Sequence, residues 1–114
     1  MNETDRRPWG GYEVLDDEAT FKVKRMTVDP GQRLSYQRHR FRSEHWFVVA
    51  GTGLVTLEGA TQEVAAGSAV DVAIGVAHRI QNTGGEQLVF IEVQRGSYFG
   101  EDDIERLSDD YGRA

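Results

Sequence analysis

Hydrophobic and polar positions alternate along most of this chain with a period of two. The alternation is clearest over residues 21–26, 34–39 and 46–50. Successive side chains of a strand point to opposite faces, so this pattern predicts half-buried strands. Further candidate strands lie near residues 53–57, 61–64, 68–72, 77–81 and 87–94.

Turn sequences separate these runs. They include Asp29-Pro30-Gly31, Gly51-Thr52-Gly53 and Asn82-Thr83-Gly84-Gly85, and 13 of the 114 residues are glycine. Glycine and asparagine adopt the backbone angles that tight turns need. Eight or nine short strands in a chain of this length predict a single all-β domain over residues 1–114, folded as a sandwich or barrel.

The last part of the chain carries a different pattern. Glu101, Asp102 and Asp103 place negative charge where a helix N-terminus favours it. Ile104 and Leu107 then begin an apolar stripe with the i, i+3, i+7 spacing that Tyr111 completes. We expect a short C-terminal helix or turn against the barrel.

Composition excludes several classes of protein. The chain has no cysteine and a net charge of −6, so we expect neither disulfides nor a nucleic-acid surface. No apolar run approaches the roughly 20 residues that span a bilayer, and the N-terminus lacks the apolar stretch of a signal peptide. We therefore expect a cytoplasmic protein that binds no membrane.

Charge is distributed unevenly along the chain. Residues 21–45 contain seven basic residues and two acidic ones, whereas residues 1–20 and 96–114 each contain six acidic and two basic residues. A basic centre is suited to a small anionic ligand. A strand with one cationic, solvated face would show the same pattern, and charge alone does not separate the two.

Four residues form a candidate metal-binding set. Gln37 and His39 are two apart on one predicted strand and project to the same face. Glu44 lies beyond the turn that follows, and His78 begins another strand. An amide oxygen, two imidazoles and a carboxylate suit a divalent ion such as Zn, Mn or Co.

The spacing around these residues resembles the two motifs of the cupin superfamily. One reads Gly31-x5-Gln37-x-His39-x4-Glu44-x6-Gly51, and the other reads Gly67-x7-Gly75-x2-His78-x3-Asn82. Glutamine replaces the usual first histidine, and Ala73 stands where proline is common. The resemblance implies a jelly-roll β-barrel with a metal held inside.

Three longer segments are similar to the type II mannose-6-phosphate isomerase family. They are residues 7–10, residues 37–46, and a C-terminal stretch from Glu92 to Arg113. This resemblance implies a metal-dependent isomerase that interconverts mannose 6-phosphate and fructose 6-phosphate. The alternative is a non-catalytic, metal-holding cupin that binds a sugar phosphate. The family's frequent guanylyltransferase partner domain does not fit in this length, so we expect no nucleotidyl transfer.

The resemblance also implies roles for individual residues. Arg42 would stabilise developing negative charge beside the metal. Glu92 is the candidate base for the C2 proton, although a carboxylate that simply pairs at the barrel rim is an equal alternative. Lys24 would bind phosphate or hydroxyl groups. A small phosphorylated sugar is the expected ligand, and a homodimer the expected assembly.

Three further residues are candidates for the mouth of the barrel. Asp103 and Arg106 are predicted to shape it, although they are also spaced to pair with each other at i, i+3 on a helix. Tyr98 follows Gly96 and is predicted to donate a hydrogen bond to the ligand, with simple packing as the alternative.

Overall fold

The computed structural model describes residues 4–113, which form two antiparallel sheets. Eleven strands occur in this part of the chain: β1 Thr4–Arg7, β2 Gly10–Asp17, β3 Phe21–Val28, β4 Tyr36–Arg38, β5 Arg42–Ala50, β6 Thr52–Leu57, β7 Ala60–Ala65, β8 Ala69–Val72, β9 His78–Asn82, β10 Leu88–Gly96 and β11 Glu105–Ser108. The six-stranded sheet has the order β1-β2-β3-β10-β5-β8, and the five-stranded sheet has the order β11-β4-β9-β6-β7. The prediction of an all-β jelly roll is confirmed.

The alternation in the sequence decides which face of each strand is buried. In β10, Leu88, Phe90, Glu92 and Gln94 point inward, while the residues between them are half-buried or exposed. Neighbouring strands are in register with this row, because Lys24 of β3 and Trp46 of β5 both lie opposite Glu92. One inner face therefore carries the apolar core and a polar cluster side by side.

The apolar part of the interior contains the most completely buried side chains. Phe90, Leu88, Val55 and Ile80 have no exposed surface. They come from both sheets, so the apolar core lies between the two layers. On β10, the polar side chains of Glu92 and Gln94 follow it along the same inner face.

The chain enters the large sheet through a close backbone contact at Gly10. Its φ of 153° is unfavourable for other residues, and a Cβ atom there would overlap the carbonyl group of Thr27 on β3. Glycine is thus required where β2 meets β3. The β1–β2 hairpin itself was absent from the strands predicted by alternation.

Of the predicted short C-terminal helix or turn, the structure has the turn, and no helix occurs in residues 4–113. Residues 101–103 form a turn, and β11 follows and pairs with β4, placing Arg106 opposite Gln37. Backbone pairing with a distant strand thus outweighed the helical spacing of the apolar residues. Tyr111 still packs against the core, as the stripe suggested. The described residues also contain no helix long and apolar enough to cross a membrane.

Candidate metal centre

Three of the four predicted ligands meet inside the barrel. His39 follows β4, Glu44 lies on β5, and His78 begins β9, so both sheets contribute. One ligand atom from each lies within 4.8 Å of the others, and all three side chains are buried. His78 is 34 positions from Glu44 and 39 positions from His39 along the chain, yet the three side chains converge on one point, as a chelating site requires.

Backbone carbonyl groups orient both imidazoles. His39 Nδ1 lies 2.6 Å from the carbonyl oxygen of Asp103, and His78 Nδ1 lies 2.9 Å from that of Val76. A carbonyl oxygen only accepts, so each Nδ1 carries the hydrogen and each Nε2 presents a lone pair. This is the arrangement in which protein histidines ligate metal ions.

The two lone pairs face the same carboxylate. His39 Nε2 is 3.3 Å and His78 Nε2 3.8 Å from the oxygens of Glu44. Burial lowers the pKa of His39, which favours its neutral form. Within residues 4–113, His78 Nε2 is buried and has no hydrogen-bond partner. A buried acceptor of this kind beside a carboxylate fits a bound cation, so the donor set is that of a possible metal site.

Arg42 supplies positive charge at the same cluster. Its Nε donates to Glu44 Oε2 over 2.9 Å, and its Nη2 lies 3.3 Å from His39 Nε2. Burial acts to raise the pKa of Glu44, but the charge of the Arg42 guanidinium outweighs it, so the pKa lies below its usual value. Glu44 is consequently ionised at neutral pH.

The predicted fourth ligand lies at the edge of this cluster. The Gln37 Cα is paired with that of His78 across β4 and β9, and its half-buried side chain lines the same pocket. Ser35 Oγ donates to Gln37 Oε1 over 3.1 Å, which holds the amide in place. Gln37 is therefore adjacent to the three-residue cluster.

Glu92 is buried beside Glu44 in the same polar cluster. Trp46 Nε1 donates to both Glu44 and Glu92, at 3.0 and 3.2 Å, and Gln94 Nε2 donates to Glu92 over 2.8 Å. Burial, reinforced by the nearby charge of Glu44, raises the pKa of Glu92 to about 8. The carboxyl group therefore holds a proton at neutral pH.

The residues predicted to bind substrate are divided between two places. Lys24 and Arg106 line a pocket whose wall also includes Gln37, His39 and Glu44. Tyr98 lies outside it, 44% exposed, edge-on to Phe41 and hydrogen-bonded to Asp102. The contact with Phe41 agrees with the alternative of simple packing, and a hydrogen bond from Tyr98 to a ligand stays a prediction.

Asp103 also lies outside the pocket's lining and has a structural position. Its two carboxylate oxygens accept from the backbone amides of Arg40 and Phe41, at 2.9 and 3.0 Å. Its backbone carbonyl is the group that orients His39. The i, i+3 pairing with Arg106 has no helix to support it. Asp103 joins the C-terminal segment to the turn between β4 and β5.

Sequence reasoning missed pocket residues that come from the two ends of the chain. These additional lining residues include Arg7, Trp9, Tyr12, Glu101 and Arg113. Most lie in the terminal segments on which the family resemblance depends, which was the available signal. Their alternation and charge do not show that the two ends meet over one pocket.

Residues 1–109 match the family described as mannose-6-phosphate isomerase C-terminal. The chain belongs to that family. The fold agrees: the cupin domain of Schizosaccharomyces pombe Cnp3 superposes with a TM-score of 0.72, over 75% of this chain and 64% of that one. At 16% identity this similarity concerns the fold, which is that of a cupin.

Two relatives are much more similar in sequence. The chain is 50% identical over 107 residues to the alginate biosynthesis protein AlgA of Pseudomonas aeruginosa. It is 46% identical over 107 residues to a mannose-1-phosphate guanylyltransferase of Salmonella montevideo. Each match covers 94% of this chain, but only 22% and 23% of the respective relative. The chain thus spans less than a quarter of the length of these relatives.

These names correct the predicted activity. The assignment as a mannose-6-phosphate isomerase is wrong. The Salmonella montevideo relative is named as a guanylyltransferase, which is a transferase rather than an isomerase. The alternative of a non-catalytic sugar-phosphate-binding cupin is not favoured either. The argument from length against nucleotidyl transfer also fails, since the relatives are about four times longer. The homodimer and the phosphorylated ligand stay predictions.

Proposed function

We propose that this chain acts as the cupin domain of a mannose-1-phosphate guanylyltransferase. Such an enzyme joins the guanylyl group of GTP to mannose 1-phosphate, which forms GDP-mannose and releases pyrophosphate. The observation that supports this is 46% identity to a protein of that name across 94% of the chain. Because the chain covers under a quarter of that protein, the activity of the whole is part of the proposal.

The first contribution of the domain is a divalent metal site. His39, Glu44 and His78 would hold the ion, with the Gln37 amide oxygen beside them, and Zn, Mn, Co or a similar ion suits these ligands. When bound, the ion supplies electrostatic stabilisation to an anionic oxygen of the ligand. The support is the buried donor set and the unpartnered His78 Nε2 within the described chain.

The second contribution is a polar pocket that is already organised. Arg42 holds Glu44 in place, and Trp46 Nε1 fixes the carboxyl groups of Glu44 and Glu92 together. Lys24 and Arg106 add positive charge to the wall. Side chains held by their neighbours lose little entropy when a ligand binds. A phosphorylated mannose compound matches this combination of cations and hydrogen-bonding groups.

Elemental analysis tests the metal site directly. The purified chain should carry about one divalent ion, and His78→Ala should carry less than about a tenth of that, because a ligand is lost. His45→Ala is the matched control, since His45 points outward from the same barrel and pairs with Asp71 on the surface. Full metal content in His78→Ala would contradict the assigned site.

A domain replacement tests the function. The matching segment of the Salmonella montevideo guanylyltransferase would be exchanged for this chain, and GDP-mannose formation from GTP and mannose 1-phosphate measured. We expect the exchanged enzyme to approach the activity of the parent and to exceed that of the parent lacking the segment. A folded, soluble exchanged enzyme no more active than the truncated one would overturn the proposal.

A further inference from the structure

A second cavity lies beside the turn between β4 and β5, on the outside of the barrel. It has a volume of about 350 Å³, and the segment between β10 and β11 forms its other wall. Among the described residues, Ile104 alone lines both this cavity and the pocket inside the barrel. Sites for small molecules have volumes of about 300–1,000 Å³, so the cavity is large enough for one planar ring system.

Two aromatic rings form a fixed corner in the wall of this cavity. The rings of Phe41 and Tyr98 stand nearly perpendicular, at 88°, with their centres 6.2 Å apart. The Tyr98 hydroxyl donates to Asp102, and it lies so close to Gly100 that a Cβ atom there would overlap it. Phe41 and Tyr98 are nevertheless 49% and 44% exposed. Rings held in this way lose little entropy when a flat ligand stacks on them.

The charged groups of the wall leave one cation and one carboxylate oxygen available. Arg38 Nε lies 3.1 Å from Glu105 Oε1, and Asp103 accepts from two backbone amides, so these three side chains are compensated. Arg40 is exposed, and its guanidinium has no partner among the residues that the structure describes. In the same part of the chain, the Asp102 carboxylate accepts a hydrogen bond through Oδ1 only, which leaves Oδ2.

A guanine base presents the groups that complement this wall. Its O6 and N7 atoms accept hydrogen bonds in the geometry that an arginine guanidinium donates. Its N1–H and 2-amino groups donate side by side, and a carboxylate accepts from both. Adenine has no such pair of adjacent donors. The stacking face of either purine suits an aromatic corner.

We propose that this cavity binds the base of a guanine nucleotide, stacked in the corner formed by Phe41 and Tyr98. Arg40 donates to O6 and N7, and Asp102 accepts from N1–H and the 2-amino group. The ribose and phosphate groups extend into solvent, because the other cation of the described wall, Arg38, is paired. The choice of base comes from the cavity and is independent of the proposed function, although GTP and GDP-mannose both contain guanine.

NMR titration of the isotopically labelled chain with GMP and with AMP tests this site. The two nucleotides differ only in the base, so the ratio of their dissociation constants isolates recognition of the base. We expect GMP to bind about tenfold more tightly than AMP, because the hydrogen bonds to Arg40 and Asp102 need guanine. The amide signals of residues 40–41 and 98–103 should shift on binding.

Three variants separate stacking from recognition of the base edges. Tyr98→Ala should weaken GMP binding by about tenfold, because a stacking surface is lost. Asp102→Asn keeps an oxygen for the Tyr98 hydroxyl but turns an amide donor towards the donors of guanine, so GMP should bind no more tightly than AMP. Arg40→Gln should weaken GMP binding about fivefold or more. Arg95→Gln, an exposed position of β10 outside the cavity wall, is the matched control and should leave the GMP affinity unchanged.

Several results would overturn the proposal. They are equal binding, or no binding, of GMP and AMP by the unmodified chain, and full GMP affinity in a folded Tyr98→Ala. Shifts confined to the barrel around His39 and His78 would overturn it as well, since the nucleotide would then occupy the other pocket. GMP titration needs no guanylyl transfer, so failure of the domain replacement alone would remove the proposed function and leave the guanine site standing.

Discussion

Replacing Asp103 by alanine should destabilise the fold although the residue lies outside the pocket. Its carboxylate accepts two backbone N–H groups, from Arg40 and Phe41, and thereby ties the C-terminal segment to the turn between β4 and β5. Asp103→Ala removes both acceptors. Its backbone carbonyl, which orients His39, remains but loses its anchor.

The magnitude follows from the two bonds. A hydrogen bond to a charged group contributes about 1.5–3 kcal/mol, but water reaches these partly exposed amides and recovers a share. We expect the free energy of unfolding to fall by about 2–3 kcal/mol in total. For a domain of this size, roughly 4 °C corresponds to each kcal/mol, so the melting temperature should fall by about 8–12 °C.

Thermal and urea unfolding followed by circular dichroism measure this change. Asp102→Ala, at the neighbouring position, is the matched control. In the described part of the chain the Asp102 carboxylate accepts only from the exposed Tyr98 hydroxyl, so the loss of unfolding free energy should stay within about 0.5 kcal/mol. Asp103→Asn should fall between the two, because an amide keeps one accepting oxygen. If Asp103→Ala melts within about 2 °C of Asp102→Ala, the turn does not depend on these bonds.

Three other perturbations test the fold and its charges. Phe90→Ala should cost about 3–5 kcal/mol in urea unfolding because the ring is fully buried, whereas Phe47→Ala, whose ring is 43% exposed, should cost less than about 1 kcal/mol. Hydrogen bonds from Arg113 lower the pKa of Asp109 to about 2. This ionised pair stabilises the fold above about pH 4, and about 1 kcal/mol of unfolding free energy should be lost as the pH falls from about 4 to about 2. An Asp109→Asn variant that loses the same amount over this range would contradict the assignment. Gly10→Ala should lower the melting temperature by several degrees through its clash with the facing strand, and unchanged melting would show that β2 shifts freely.

The function illustrates how far a family resemblance reaches. The motifs around His39 and His78 predicted the cupin fold correctly, and the structure brings both residues together with Glu44. The activity did not follow from these motifs. A single domain of a longer protein carries the same motifs whatever reaction the rest of that protein catalyses. Similar proteins four times the length of this chain therefore changed the assignment.

Local pattern determined the faces of the strands. In β10, Phe90 and Glu92 share the buried face, because side-chain direction in a strand depends only on the parity of the position. Over residues 101–111 the spacing of apolar residues was compatible with a helix or a turn. The chain forms a turn there and then β11, which pairs with β4.

Only the tertiary structure decided which residues close the pocket. Lys24 meets Glu101 across 77 positions of sequence, and His39 meets the Asp103 carbonyl across 64. Such contacts depend on which strands become neighbours and where the last turn lies, and neither periodicity nor composition encodes them. The sequence alone therefore determined strand faces and singled out the side chains of the candidate metal site. The tertiary structure decided which charges compensate one another, because electrostatic pairing depends on distance in space rather than along the chain.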